Sequence, residues 1–384
     1  MLRVALVSNE LPPYRIPFFE ALGKVSGIVF QAILCSQREP NRHWELPRLG
    51  FDHVFLKERV TERNGRYIHN NPDVIAALRR FRPGVIVTGG FNPTHLYAFA
   101  YAAMKGVPHV PWTDGTLVSE QRLHKLHRSI RKFVYQRSAA FIASSDSGIR
   151  LFESYGIAED RCYKSCLCVD NGHFAPPPGV KKQYDFLFCG RIEPVKNPLF
   201  ALEVALKTAR QLGRRVSMLV VGTGAQEEEL RRAAAACSDQ VKVDYQGFTA
   251  HENLPSIYHS ARIFMLPSLW EPWGVVVNEA CASGVPVIVS PHAGANELVD
   301  QGRNGYIEAL DASAWARRCT QLLSNSDEWQ SFSQAALRRV SEYSYANSAK
   351  GFIDACHAAR GALGRADIAP VRPPAGSQPV TERE

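Results

Sequence analysis

The 384-residue sequence predicts an α/β protein built from two doubly wound, Rossmann-like domains facing a central cleft. Three observations carry this. Short, near-continuous apolar runs alternate with helical periodicities along the chain, which is the pattern of parallel strands covered on both faces. A stretch with three consecutive prolines, Pro176 to Pro178, breaks that rhythm near the middle. The length fits two domains at roughly 100–200 residues each.

The first domain is expected over 1–170. Its apolar runs at 2–8, 27–35, 84–89, 109–113, 139–144 and 163–169 read as strands. Helical spacings lie between most of them, at 15–25, 72–81, 93–105, 123–137 and 147–155. Residues 171–183, with prolines flanked by glycines and lysines, read as a stiff linker. The second domain, 184–345, resumes the alternation. Its strands are expected at 184–189, 216–221, 241–245, 262–266 and 285–289. Its helices are expected at 197–212, 225–237, 254–260, 274–283 and 294–299. Closing helices follow at 311–323, 328–342 and 346–363, the last expected to pack back on the first domain. The Pro- and Arg-rich stretch 364–384 reads as a disordered tail.

Composition narrows the classes. Hydrophobic residues at 45% and charged residues at 21% exclude wholesale disorder and a collagen-like chain. No apolar run of about 18 residues occurs, so no membrane span is expected. The opening Met1 to Asn9 reads as a strand and not as a secretory leader. Nine cysteines scatter, and Cys162, Cys166 and Cys168 lack zinc-site spacing. Buried free thiols in a reducing cytoplasm are the expectation. The net charge of +8 is uneven. Residues 1–183 hold 25 basic and 15 acidic side chains, against 20 and 22 in 184–384. Either the basic half meets an anionic partner or surface, or its charge serves solubility.

The most informative stretch runs from Pro267 to Ala280. Glu271 follows a strand, Pro272 suits a first helical turn, and Gly284 suits a cap at the helix end. Glu279, eight positions after Glu271, then stands about a turn and a half inside the helix. Free N–H groups near Trp273, Gly274 and Val275 would form an anion site at the helix mouth. The carboxylates would accept hydrogen bonds from sugar hydroxyls on either side of a phosphate. The alternative is a charged first turn that only caps the helix.

A second stretch, Phe188 to Pro198, ends the first strand of the second domain. Gly190 permits a tight exit, and Arg191 and Lys196 share the loop. Fixed cations there would neutralise a departing diphosphate; otherwise they are two solvated charges. The chain has no Asp-x-Asp pair of the kind that holds a metal on a nucleotide diphosphate. No metal and no cofactor are therefore expected. Gly222 and Gly224 follow another strand. Such a glycine pair lets backbone approach a ligand or simply makes a turn.

In order and spacing these pieces resemble the retaining glycosyltransferases of family 4, which have the GT-B fold. The matching segments are Gly190-Arg191, Lys196 to Pro198, Val221 to Gly224, Gly247 before a 254–258 helix, Pro267-Ser268, Glu271 to Glu279, Ala282 to Ile288, and Glu297 with Asn304-Gly305. The first half is similar more loosely, through Pro12 to Arg15, Gly89 to Asn92 and Ala143 to Ser145. The resemblance implies that Arg191 and Lys196 grip the donor diphosphate. It implies that Glu279 binds ribose, that Glu271 lies near the donor hexose, and that Gly274 and Val275 meet the phosphates. Trp273, Gly190, Gly222, Gly224 and Phe248 complete the expected donor site, with Trp273 standing where Phe is usual. The first loop departs from the family. It lacks the usual glycines, so Arg15 is expected to act there through its side chain, on the phosphate or, with Tyr14, on the acceptor. Asp114 matches relatives with His or Asp touching donor sugar or acceptor; otherwise it is a turn residue before Gly115.

The helix at 122–137 carries Leu123, Leu126, Ile130, Phe133 and Val134 on one face and Arg122, Lys125, Arg128, Arg131, Lys132 and Arg137 elsewhere. Either it faces the core with a solvated basic side, or it lies on an anionic membrane at the inner face. The expected function is metal-independent retaining transfer of a hexose from a nucleotide sugar to a saccharide or lipid-linked saccharide, in cell-surface polysaccharide or glycoconjugate synthesis. The rivals are a nucleotide-sugar epimerase or hydrolase of the same fold, a non-catalytic relative, and a basic nucleic-acid-binding protein. The last lacks a recognisable reading helix, so nucleic acid is not expected as a partner.

Overall fold

The computed structural model describes residues 1–40, 46–63, 66–121 and 123–362. Arg122 and the expected tail at 364–384 lie outside the described residues.

The first domain begins with β1 (Leu2–Ser8), α1 (Ile16–Gly23), β2 (Ile28–Leu34) and β3 (His53–Phe55). A hairpin of β4 (Val60–Arg63) and β5 (Arg66–His69) follows, then α2 (Val74–Phe81), β6 (Val85–Thr88), α3 (Pro93–Lys105) and β7 (His109–Thr113). It continues through α4 (Leu117–Gln121), α5 (Lys125–Tyr135), β8 (Phe141–Ala143), α6 (Asp146–Ser154) and β9 (Cys162–Lys164). Seven strands form one sheet in the order β3-β2-β1-β6-β7-β8-β9, every pair parallel.

After α7 (Asn171–Phe174), the second domain runs β10 (Tyr184–Cys189), α8 (Pro198–Leu212), β11 (Val216–Val221), α9 (Glu227–Ala235), β12 (Val241–Gln246), α10 (Leu254–Ser260) and β13 (Ala261–Leu266). Then come α11 (Val275–Ala282), β14 (Val287–Val289), β15 (Gly305–Ile307), α12 (Ala312–Ser324), α13 (Ser326–Ser341) and α14 (Tyr345–Ala362). Its six parallel strands take the order β12-β11-β10-β13-β14-β15. The architecture is the two-domain, doubly wound α/β arrangement that the alternating pattern predicts.

Alternation within each strand sends residues to opposite faces. Phe186, Phe188 and Met218 join one core layer of the second sheet, and Leu187, Leu219 and Phe264 join the other. Full burial of each such side chain contributes about 1.5–3 kcal/mol. Both sheets place their first strand centrally and reverse the order of addition beside it. A crevice opens at such a reversal, beyond the carboxyl ends of the strands. The loops leaving β1 and β6 carry Pro12 to Arg15 and Gly89 to Asn92. Those leaving β10 and β13 carry Gly190 to Lys196 and Pro267 to Gly274.

The chain crosses between domains twice. Lys164 ends β9, so the strand expected over 163–169 is cut short. Residues 166–169 run on buried, because side chains from elsewhere take over as partners. Asn278 Nδ2 donates to the Leu167 carbonyl at 3.1 Å, and Ser348 Oγ donates to the Cys166 carbonyl at 2.8 Å. The linker is likewise not a free spacer. Phe174 is fully buried in the second core, with its ring 5.9 Å from Tyr258. At the far end, α14 returns to the first domain. Phe352, Ala355, Cys356 and Ala359 share a core cluster with Val4, Phe18, Phe30 and Trp112. All nine cysteines are free thiols, eight of them buried. Among the described residues no helix is long and apolar enough to cross a membrane.

Candidate functional site

At the second sheet, Gly190 turns the chain out of β10, and its N–H donates to the Val221 carbonyl at 3.0 Å. Ile192 N–H donates to the Thr223 carbonyl at 2.9 Å, so the loops after β10 and β11 lie against each other. Gly222 and Gly224 make this approach possible. A Cβ on Gly222 would stand 2.1 Å from the Gly190 carbonyl oxygen, and one on Gly224 2.3 Å from that of Ile192. Their missing side chains thus admit a neighbouring loop at the carboxyl edge of the sheet. Gly190 itself has open space where a Cβ would stand.

Arg191 is exposed and pairs with Glu193 at 3.0 Å. Lys196 ends a 3-10 turn, Pro194–Lys196, and its ammonium pairs with the Glu271 carboxylate. Burial first, and Arg191 second, push the Lys196 ammonium down to about 8. Glu271 is held by its backbone. Its N–H donates to the His292 carbonyl at 3.1 Å, and its carbonyl accepts from Gly294 at 3.0 Å. Ala295 N–H donates to the Trp273 carbonyl at 2.7 Å, which stitches the loop to residues 292–295.

Helix α11 starts at Val275, three residues later than Pro272 suggested. Gly274 has φ +97°, a left-handed conformation outside the helical region, so Pro272 belongs to the loop. The Trp273 indole is buried, donates to Asn278 Oδ1 at 2.8 Å and lies 6.2 Å from the Tyr343 ring, so that side chain serves the core. Glu279, 5% exposed, accepts a hydrogen bond from Tyr258 at 2.6 Å. Burial pushes its carboxyl up to about 7, against the opposing pull of that hydrogen bond. The Cys189 thiol, at the end of β10, is pushed up to about 12 by burial and by the charge of Glu279. Glu279 therefore lies against the strand whose next residues are Gly190 and Arg191. Phe248, two residues beyond β12, is 87% exposed at the same carboxyl edge.

The first domain presents a hollow of about 230 Å³ at its own strand reversal, lined by Asn9, Glu10, Tyr14, Arg15, Glu39 and Asp114, among others. Arg15 lies over the Trp112 ring at 4.5 Å and pairs with Asp114 at 2.5 Å. Burial works against its charge, but Asp114 and Tyr14 outweigh this and raise the guanidinium above its ordinary value. Ser144 Oγ donates to the other Asp114 oxygen at 2.5 Å. Asp114 keeps 45% of its side chain exposed, so it anchors the wall of a hollow as well as shaping a turn. Asn92 Nδ2 donates to Asn9 Oδ1 at 3.0 Å, which joins the loops after β6 and β1. The three first-half segments singled out in the sequence thus converge on one place.

Sequence reasoning gave Glu297 no role, yet it bridges the domains. Its carboxylate accepts from the Asp146 backbone N–H at 2.8 Å and pairs with Lys164 at 2.9 Å. Tyr343 donates to it at 3.1 Å, and Lys164 also pairs with Asp146 at 2.9 Å. Burial raises the Glu297 carboxyl against the opposing pull of Lys164. Glu39, paired with His69 at 3.0 Å, was likewise missed. Glu297 sat among the family-like segments, but its partner at Asp146 is 151 residues away. Among the described residues no three or more His, Cys, Asp or Glu side chains cluster so as to hold a metal ion.

Residues 173–339 match the family described as Glycosyl transferases group 1. The D-inositol 3-phosphate glycosyltransferase of Nocardia farcinica is 29% identical over 179 residues, 45% of this chain and 40% of that protein. The mannosylfructose-phosphate synthase of Agrobacterium fabrum is 27% identical over 171 residues, 40% of this chain and 38% of that protein. The chain thus spans about two fifths of the length of these curated relatives. Among solved structures, Anabaena HepE in complex with UDP has a TM-score of 0.72 at 15% identity, covering 92% of this chain and 99% of that one. Sucrose-phosphate synthase from Thermosynechococcus elongatus has a TM-score of 0.69 at 16% identity, covering 94% and 100%. These likenesses identify the fold as GT-B.

Proposed function

We propose that the protein is a metal-independent retaining glycosyltransferase of the family 4 kind, moving a hexose from a nucleotide-diphosphate sugar to a saccharide or lipid-linked saccharide. One observation carries the reading. Lys196, Glu271 and Arg191 stand at the strand reversal of the second sheet, with Glu279 buried against the end of β10.

The chemistry follows from these groups. Arg191, Lys196 and the N–H groups at the mouth of α11 neutralise the donor diphosphate as it departs. Ionised Glu279 accepts hydrogen bonds from the ribose hydroxyls. Phe248, too exposed to serve the core, stacks on the flat base. Donor phosphates compete for Lys196 and so release Glu271 toward the hexose, where its charge opposes the cation developing at the anomeric carbon. The acceptor enters from the hollow beside Asp114 and attacks from the leaving-group face, and a phosphate oxygen takes its proton. Domain closure excludes water and limits donor hydrolysis.

HepE and UDP support the choice of first probe, since that protein's structure was solved with this nucleotide. The test is a thermal-shift panel of nucleotides and nucleotide sugars, UDP and UDP-glucose included, on the wild type and Glu279→Ala. One nucleotide class should stabilise the wild type and affect the variant less. Transfer should continue in excess chelator. Equal shifts in both proteins would remove the ribose assignment. Donor breakdown indifferent to every acceptor would remove transfer, and activity that returns only with added divalent metal would remove metal independence.

A further inference from the structure

Eight large apolar side chains are exposed among the described residues, and five of them lie on three helices of the first domain. Met104 ends α3, Leu117 and Val118 open α4, and Leu126 and Phe133 lie on α5. The helices are linked. Phe99 of α3 meets Phe133 of α5 at 6.1 Å, and Glu120 of α4 pairs with Arg131 of α5 at 2.9 Å. Leu126 and Phe133 are seven residues apart, two helical turns, and so share a face. They are 62% and 51% exposed.

Of the five apolar residues expected on one face, Val134 is buried, Leu123 and Ile130 are half-buried, and Leu126 and Phe133 are exposed, so that face is only partly turned to the core. Of α5 only Val134 and Tyr135 are buried. Tyr135 points into the core from the flank opposite Leu126, packing against Phe141, Phe152 and Tyr155, and this leaves Leu126 and Phe133 facing outward. Lys125 and Lys132, seven residues apart, are exposed on the flank of Leu126 and Phe133, and neither forms an ion pair with another described residue; Arg128, seven residues before Tyr135, lies on the opposite side. α5 has no acidic residue, and Glu120 of α4 is buried, held by Arg131 and Tyr155. A solvated stripe of this kind, edged by unpaired cations, matches an anionic bilayer in both respects.

Its position ties it to the hollow. Leu117 opens α4 only three residues after Asp114. Arg131 lies 4.7 Å over Phe91, in the loop that leaves β6. We infer that the α3–α5 face docks on an anionic lipid bilayer, so that the Asp114 hollow opens against the membrane and takes a lipid-linked saccharide. The identity of the acceptor rests on the transfer reading above; the docking does not.

Cosedimentation of the full chain with lipid vesicles tests this. The wild type should sediment with phosphatidylcholine vesicles containing phosphatidylglycerol and stay in solution with phosphatidylcholine alone. Lys125→Glu and Lys132→Glu together should weaken binding more than tenfold, at about fivefold per charge. Leu126→Asp with Phe133→Asp should weaken it while leaving that lipid preference in place. All variants should keep the wild-type thermal shift with UDP, which reports the second domain. A missing UDP shift in every protein would count against the transfer reading and leave the vesicle result to decide docking. Docking is overturned if the wild type ignores anionic vesicles or if all proteins sediment alike. Tighter capture by a polynucleotide than by anionic vesicles overturns it as well.

Discussion

Glu279→Gln separates the electrostatics of the donor site from its packing. The carboxyl is enclosed, receives one hydrogen bond from Tyr258, and is pushed by burial from its ordinary value of 4.5 up to about 7. The folded site therefore favours the protonated form. The associated stability is complete below about pH 4.5, declines as pH rises toward about 7, and is absent above it. Its size is about 3 kcal/mol, at 1.36 kcal/mol for each tenfold difference in proton affinity. Glutamine keeps the shape and still accepts from Tyr258, but never ionises. Relative to wild type, the variant should thus gain about 3 kcal/mol between pH 4.5 and pH 8, or roughly 6–12 °C in melting temperature for a domain of this size. Paired thermal melts of both proteins across that range give the difference directly and cancel every other titrating group. Nucleotide should show the complementary trend: affinity of the wild type rises through pH 7 as Glu279 ionises, and affinity of the variant does not. Parallel melting curves across the range would refute the buried-carboxylate reasoning.

Three further expectations concern Lys196 and Glu297. Lys196→Ala should lower kcat/KM for the donor by about 10²–10³, the scale for loss of one fixed charge-stabilising group. Because burial holds the ammonium near 8, wild-type kcat/KM should fall above about pH 8, and with Glu279 ionising near 7 the profile should peak between them; a flat profile to pH 9 would exclude this. Glu297→Gln removes the charge that holds Lys164 and the start of α6 across the cleft. The nucleotide thermal shift should persist while transfer falls about tenfold to hundredfold through misplaced loops; unchanged transfer would make the bridge irrelevant to catalysis.

Much of the donor side was legible in the chain. Each of its loops is short and follows a strand, so the strand-loop-helix rhythm puts Arg191, Lys196 and Glu271 at the carboxyl edge of one sheet, with Glu279 in the helix that follows. Local spacing also located Asp114 and the Pro12 to Arg15 loop at strand ends. Short strands were missed at β3, β4, β5 and β15, because three or four residues set no period. Pro272 lies in the loop and not in the helix because residues 292–295 pin that loop through Glu271 and the Trp273 carbonyl.

The sequence by itself determined the alternation of strand and helix that builds two doubly wound sheets, since each unit follows from patterns within some twenty residues. Only the tertiary structure decided which side chains meet. The Lys196–Glu271 pair, the Arg15–Asp114–Ser144 contact, the Glu297 bridge and the outward turn of α5 each depend on segments far apart in the chain. Periodicity tells a helix that one face is apolar, but how the helix is rotated is set by what its neighbours have already filled, and that information is not local.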